Sequence, residues 1–180
     1  MRKASVLIAV GCFFLAVAAS VSAQSARKPG LWEVNSKMAW QVSPIPAGVQ
    51  MPGGVSPSTP TSHTTQVCLT QEMIDKYGAP VPQSRAECHA DNVKKTATGM
   101  TADWVCSGRM TGKGTLEASW NDDTHAQSKI HFMGSMEMGK GAEPIEWTNE
   151  STSVYKGADC GDVKPVTAPK PATGEKAPGQ

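Results

Sequence analysis

Over residues 31–42 the chain alternates in kind: Trp32, Val34, Ser36, Met38, Trp40 and Val42 fall on one parity, and Leu31, Glu33, Asn35, Lys37, Ala39 and Gln41 on the other. A period of two marks a half-buried strand, because successive side chains leave opposite faces of the backbone. Residues 64–69 read as a second strand, and after Cys88 the same period keeps returning. Residues 93–96 and 101–106 form a hairpin in which Ala102, Trp104 and Cys106 share a face. Gly114, Leu116, Ala118 and Trp120 alternate with Thr115, Glu117 and Ser119 before an Asn121-Asp122-Asp123 turn. Ile130, Phe132, Met136 and Met138 share a parity, and Ile145, Trp147 and Tyr155 mark a last strand that ends near Cys160. Only residues 71–77 fit a helix, with Thr70 as its N-cap and Gly78 as its stop. A parallel α/β sheet needs a crossover helix between successive strands, so that class is excluded. The expected fold is all-β: an antiparallel meander of about seven strands, curled or barrel-like, with one short helix.

Residues 1–23 carry Arg2 and Lys3, a continuous apolar run, and Val21-Ser22-Ala23 at the end, the pattern of a cleaved secretory signal peptide. The run is shorter than the roughly 20 residues a membrane span needs, and no second apolar segment follows it, so no span is expected after cleavage. Loss of Arg2 and Lys3 takes the 17 Lys and Arg to 15 against 16 Asp and Glu. A near-neutral chain lacks the electrostatic footprint of nucleic-acid binding. Of the five cysteines, Cys12 goes with the leader, leaving Cys68, Cys88, Cys106 and Cys160. An even number in an exported chain points to two disulfides. Their spacings match no thiolate metal pattern. Three pairings are open; Cys88 and Cys106 are symmetric about position 97, beside Thr98-Gly99, which favours that pair. The domain expected is residues 24–160, with a Pro- and Gly-rich loop over 43–62 and a disordered Pro-rich tail over 161–180.

Several segments together resemble one bacterial family: Lys28-Pro29-Gly30-Leu31-Trp32-Glu33-Val34, Val67-Cys68-Leu69-Thr70, Cys88, Trp104-Val105-Cys106-Ser107-Gly108, Gly112-Lys113-Gly114-Thr115 and Gly157-Ala158-Asp159-Cys160. The chain is similar over residues 28–160 to the domain of unknown function 3617 family. The resemblance implies export to a Gram-negative periplasm, a mostly-β fold and four cysteines acting as a structural framework. It brings no activity, and so no functional residue is carried over.

No catalytic constellation can be assembled from the residues. There is no G-x-S-x-G elbow, and residues 108–114 depart from a phosphate loop by one residue between the glycines and by Gly114 where Ser or Thr would hold magnesium. They read as a Gly-rich turn, and Asp122 with Asp123 as a turn cap, because a calcium cage needs six to eight oxygens. The chain is therefore expected to be no enzyme, to need no cofactor and to be monomeric. Its binding candidates are two. Trp32, Met38, Trp40, Trp104, Trp120 and Trp147 sit on apolar parities and fill a small core; in a barrel the same faces line a pocket for a small apolar ligand. His131 and Met133 share the opposite face of their strand, offering imidazole and thioether to a soft metal such as copper or silver, with His125 or His89 as a further ligand. The leading expectation is non-catalytic binding of a small apolar ligand or an envelope partner protein. Soft-metal binding and a structural or stress-related envelope role without a small ligand are the alternatives.

Overall fold

A computed structural model describes residues 27–46, 49, 59–78, 87–139 and 141–166. The leader with Cys12, most of the proline loop and residues 167–180 lie outside the described residues. The elements are β1 (Gly30–Val42), β2 (Thr61–Leu69), α1 (Gln71–Tyr77), β3 (Cys88–Lys95), β4 (Gly99–Ser107), β5 (Met110–Ser119), β6 (His125–Glu137), β7 (Ala142–Gly157) and β8 (Pro165–Val166). They form one sheet in the order β3-β4-β5-β6-β7-β1-β2-β8. Every pairing is antiparallel except the short one between β2 and β8. The fold is thus the expected all-β curled sheet with one short helix: a meander from β3 to β7, onto whose last strand the β1–β2 hairpin is added.

Strand parity divides the two faces. Trp32, Met100, Ala102, Trp104, Leu116, Ala118, Ile130, Phe132, Ile145 and Trp147 are buried on one face, and α1 lays Met73, Ile74 and Tyr77 against it. Phe132 stacks on Trp147 with ring centroids 5.3 Å apart. The backbone comes close around that ring. A Cβ at Gly114 would collide with the carbonyl oxygen of His131, so β5 and β6 can approach here only through glycine. Gly112 and Gly114 therefore lie inside β5, and only Gly108 and Arg109 make the turn that residues 108–114 were expected to form.

The helix ends are set by adjacent residues. Thr70 Oγ1 accepts from Met73 N at 3.3 Å, and Gly78, at φ 74°, donates its N–H to Ile74 O at 2.7 Å. Lys95 Nζ adds hydrogen bonds to the carbonyls of Ile74 (3.1 Å) and Asp75 (2.7 Å), where a cation complements the helix C-terminus.

Two disulfides pin the sheet. Cys88 and Cys106 are register partners across β3 and β4 and are bonded. Cys68 is bonded to Cys160 and ties the end of β2 to the chain after β7. That tie explains β8: residues expected in the tail are held beside β2, where Pro165 pairs with Cys68 and Val166 with Leu69. Two disulfides suit an extracellular or periplasmic protein, and among the described residues no helix is long and apolar enough to cross a membrane.

Candidate functional site

Register aligns the polar parity of the sheet into rows. Register places Ser62, Lys37, Glu150, Lys129, Glu117, Thr101 and Lys94 in one row across seven strands. Thr64, Asn35, Thr152, Gln127 and Ser119 form the row beside it. Both rows are exposed, and with the row of opposite parity that runs between them, His63, Ser36, Ser151, Ser128, Ala118 and Met100, they line one open groove of about 1130 Å3 that reaches from β2 to β3. One row alternates in charge across β1, β7, β6 and β5, with Lys129 Nζ 3.0 Å from Glu150 Oε1. The other is hydroxyl and amide, and Thr64 Oγ1 donates to Asn35 Oδ1. Hydroxyls and amides both donate and accept, so the groove can satisfy an extended polar ligand at many points while favouring no single sign of charge. Within the groove, Ser36 and Ser151 share a hydrogen bond of 3.0 Å, and Ser151 donates to Asn149 Oδ1 at 3.2 Å.

None of the six residues proposed for an apolar ligand lines this groove. Trp32, Trp104, Trp120 and Trp147 are core residues, each 6 % exposed or less, while Met38 and Trp40 are half-buried against them. They fall into two groups. Trp32 and Trp120 flank Arg27, whose guanidinium carbon lies 5.2 Å from one ring and 4.7 Å from the other. Trp40 and Trp147 are register partners further along the sheet, and Phe132, the stacking partner of Trp147, is the register partner of Gly114, which pairs with Trp104. Trp32 Nε1 donates to Lys28 O and Trp120 Nε1 to Ala97 O, whereas the buried indole N–H groups of Trp104 and Trp147 have no hydrogen-bond partner.

His131 and Met133 do share the polar face. Met133 is 57 % exposed, Glu146 is its register partner on β7, and Glu146 Oε1 lies 2.8 Å from His131 Nε2. The other two histidines stand apart. His125 is six residues along the same strand, about 20 Å away at 3.3 Å per residue, and is bound up with Asp122. His89 is three strands from Met133 in register, about 14 Å, and lies beside Asp91. Among the described residues no three His, Cys, Asp or Glu side chains are grouped to hold a metal.

Charge is concentrated at the Trp32–Trp120 end. Burial pushes the Arg27 guanidinium down to about 10, with Asp122 opposing the shift. It remains charged at neutral pH and gives one hydrogen bond, from Nη2 to His125 O at 3.0 Å. Asp122 closes the β5–β6 turn: its Oδ1 accepts from Thr124 N and His125 N, both at 2.7 Å, and from Thr124 Oγ1 at 2.8 Å. The Thr124 amide and hydroxyl, ahead of His125, hold that carboxyl far below its usual range. Lys28 forms an ion pair with Asp123 at 2.8 Å, which raises its pKa.

A family model described as a protein of unknown function (DUF3617) matches residues 27–160. No curated protein and no solved structure matches the chain significantly.

Proposed function

The chain belongs to the DUF3617 family, and from that premise, which brings no activity with it, we propose an exported, non-catalytic binding protein whose partner is an envelope component laid along the polar groove. The observation that carries this reading is the groove itself: about 1130 Å3, open, and lined across seven strands by lysines, glutamates, hydroxyls and amides together with His63, Met100 and Ala118. Ionic and hydrogen-bonding side chains beside Met100 and Ala118 suit the surface of another envelope protein, or a polymer with both polar and apolar faces. The tryptophans of the core cluster pack away from the groove and line none of it. A sedimentation assay with purified murein sacculi and with envelope vesicles tests this. Wild type should be retained by one fraction, and a Lys37→Glu, Lys94→Glu pair, both exposed positions, should lose at least tenfold in retention. Equal retention of variant and wild type would sink the groove reading.

A soft-metal role is the second reading, supported by His131, Met133 and Glu146 lying together on the exposed face. A carboxylate that orients imidazole is a common arrangement around bound metals. Titration with Ag(I) should then show one site that His131→Ala with Met133→Leu removes; an unchanged isotherm would discard it.

A further inference from the structure

The two long edges of the sheet are built differently. At the β3 edge the pairing with β4 shifts between Asp91 and Lys94, Asn92 takes a positive φ of 51°, and Lys94 and Lys95 follow. A bulge and lysines are the usual guards against edge-to-edge pairing. The β2 edge has none of them. Its register with β1 runs unbroken from Gly30↔Leu69 to Met38↔Thr61, and residues 61–67 contain no charged residue and no proline. Residues 61–66 are exposed on both parities. Among the described residues only β8 pairs with this edge, and it takes Cys68 and Leu69 alone. β8 thus shows that the edge accepts an extended chain, and leaves seven residues of it open.

We propose that residues 61–67 of β2 pair antiparallel with the same residues of a second copy of this chain, joining two sheets across a two-fold axis. Three observations favour this occupant. The stretch is self-complementary: centred on Thr64, Ser62 faces Gln66 of the other copy, and no like charges meet. It is rich in the β-branched residues that suit a strand, Thr61, Thr64, Thr65 and Val67. The groove reaches this edge at Ser62 and Thr64, so the two-fold axis joins two grooves into one. An isologous contact of this kind closes at two copies. Seven residues span about 23 Å, and one strand pair of that length buries less than the roughly 1,200 Å2 of a standard interface. The dimer is therefore a weak one that forms with rising concentration.

The inference stands apart from the identity of any groove ligand, and its test uses none. Sedimentation velocity of the chain recovered after export, over a wide concentration range, should show a reversible shift from monomer to dimer. Thr64 faces itself across the axis, so Thr64→Lys and Thr64→Glu should each remain monomeric, and an equimolar mixture of the two should regain the dimer. Hydrogen exchange at residues 61–67 should slow with concentration while exchange in β3 does not change. Should Thr64→Lys fail to fold by near-ultraviolet dichroism, Gln66→Lys with Ser62→Glu, which face each other across the axis and should preserve the dimer, takes its place. A wild-type chain that stays monomeric at every concentration, a dimer that survives Thr64→Lys, or a Lys and Glu mixture that stays monomeric overturns the proposal.

Discussion

Trp120 and Trp147 have similar burial but different hydrogen bonding, and the difference is measurable. Trp120 Nε1 donates to Ala97 O at 2.8 Å, while the Trp147 indole N–H is buried without a partner. Replacing either by Phe removes similar volume, but only Trp120→Phe breaks a bond and strands its acceptor. Trp120→Phe should therefore cost about 1 kcal/mol more than Trp147→Phe in urea unfolding; equal costs would mean that the indole N–H of Trp147 is satisfied in solution. Asp122 gives a second prediction at this scale. Its carboxyl is held below its ordinary value of 3.8 by the Thr124 amide and hydroxyl and then by His125. A depressed carboxyl contributes stability that is complete above the unfolded-state value and is lost as the pH falls from there through the folded value. Asp122→Ala should lower the melting temperature at pH 7, and the gap to wild type should narrow below about pH 4. A gap independent of pH would assign the effect to the turn's shape and not to the charge.

Among the elements, the helix was legible to the residue and the strand ends were not. A cap is local: Thr70 and Gly78 adjoin the helix they close, so the sequence contains both partners. The start of β5 was hidden because Gly112 and Gly114 look like turn residues, and their role, making room for the β6 backbone and the Phe132 ring, depends on a strand some 20 residues away. The start of β2 at Thr61 was masked by the prolines before it. The pairing of Cys88 with Cys106 could be favoured from symmetry about one hairpin, and its cross-link closes a separation of 18 residues. Cys68–Cys160 closes 92. Loop-closure entropy gives about 3.2 kcal/mol for the first and about 4.6 for the second. Ala replacement of the pair Cys68 and Cys160 should therefore destabilise by roughly 1.4 kcal/mol more than replacement of Cys88 and Cys106. The opposite order in denaturant melts would show that the hairpin bridge relieves or stores enthalpy the entropic picture omits.

At the scale of the whole molecule, the strand order turns one sequence fact into a kinetic one. β3 to β7 pair with sequence neighbours, but β1, the first strand, must pair with β7, the last long one, as Leu31 with Gly157 and Lys37 with Glu150. This closure also completes the groove, since Lys37 and Glu150 sit side by side in it. The groove was illegible in the sequence for the same reason: its residues come from both parities along seven strands, where each alone looks like ordinary surface or core, and only long-range register brings them into rows. Bringing distant segments together costs loop entropy before any contact repays it, a cost that the Cys68–Cys160 bond lowers by tying β2 to the end of β7 but does not remove. We therefore expect refolding with both disulfides intact to proceed in two stages. Pulse-labelled amides of β4, β5 and β6 should be protected first, and those of β1 and its partner edge on β7 last, with the groove absent until the second stage. Destabilising the closure from the β1 side, by Ser36→Asp beside Ser151, should slow the late stage and leave the early one unchanged. Were β1 amides protected in the earliest phase, the N-terminal strand would be part of the folding nucleus, and the meander would not be the unit from which this sheet is built.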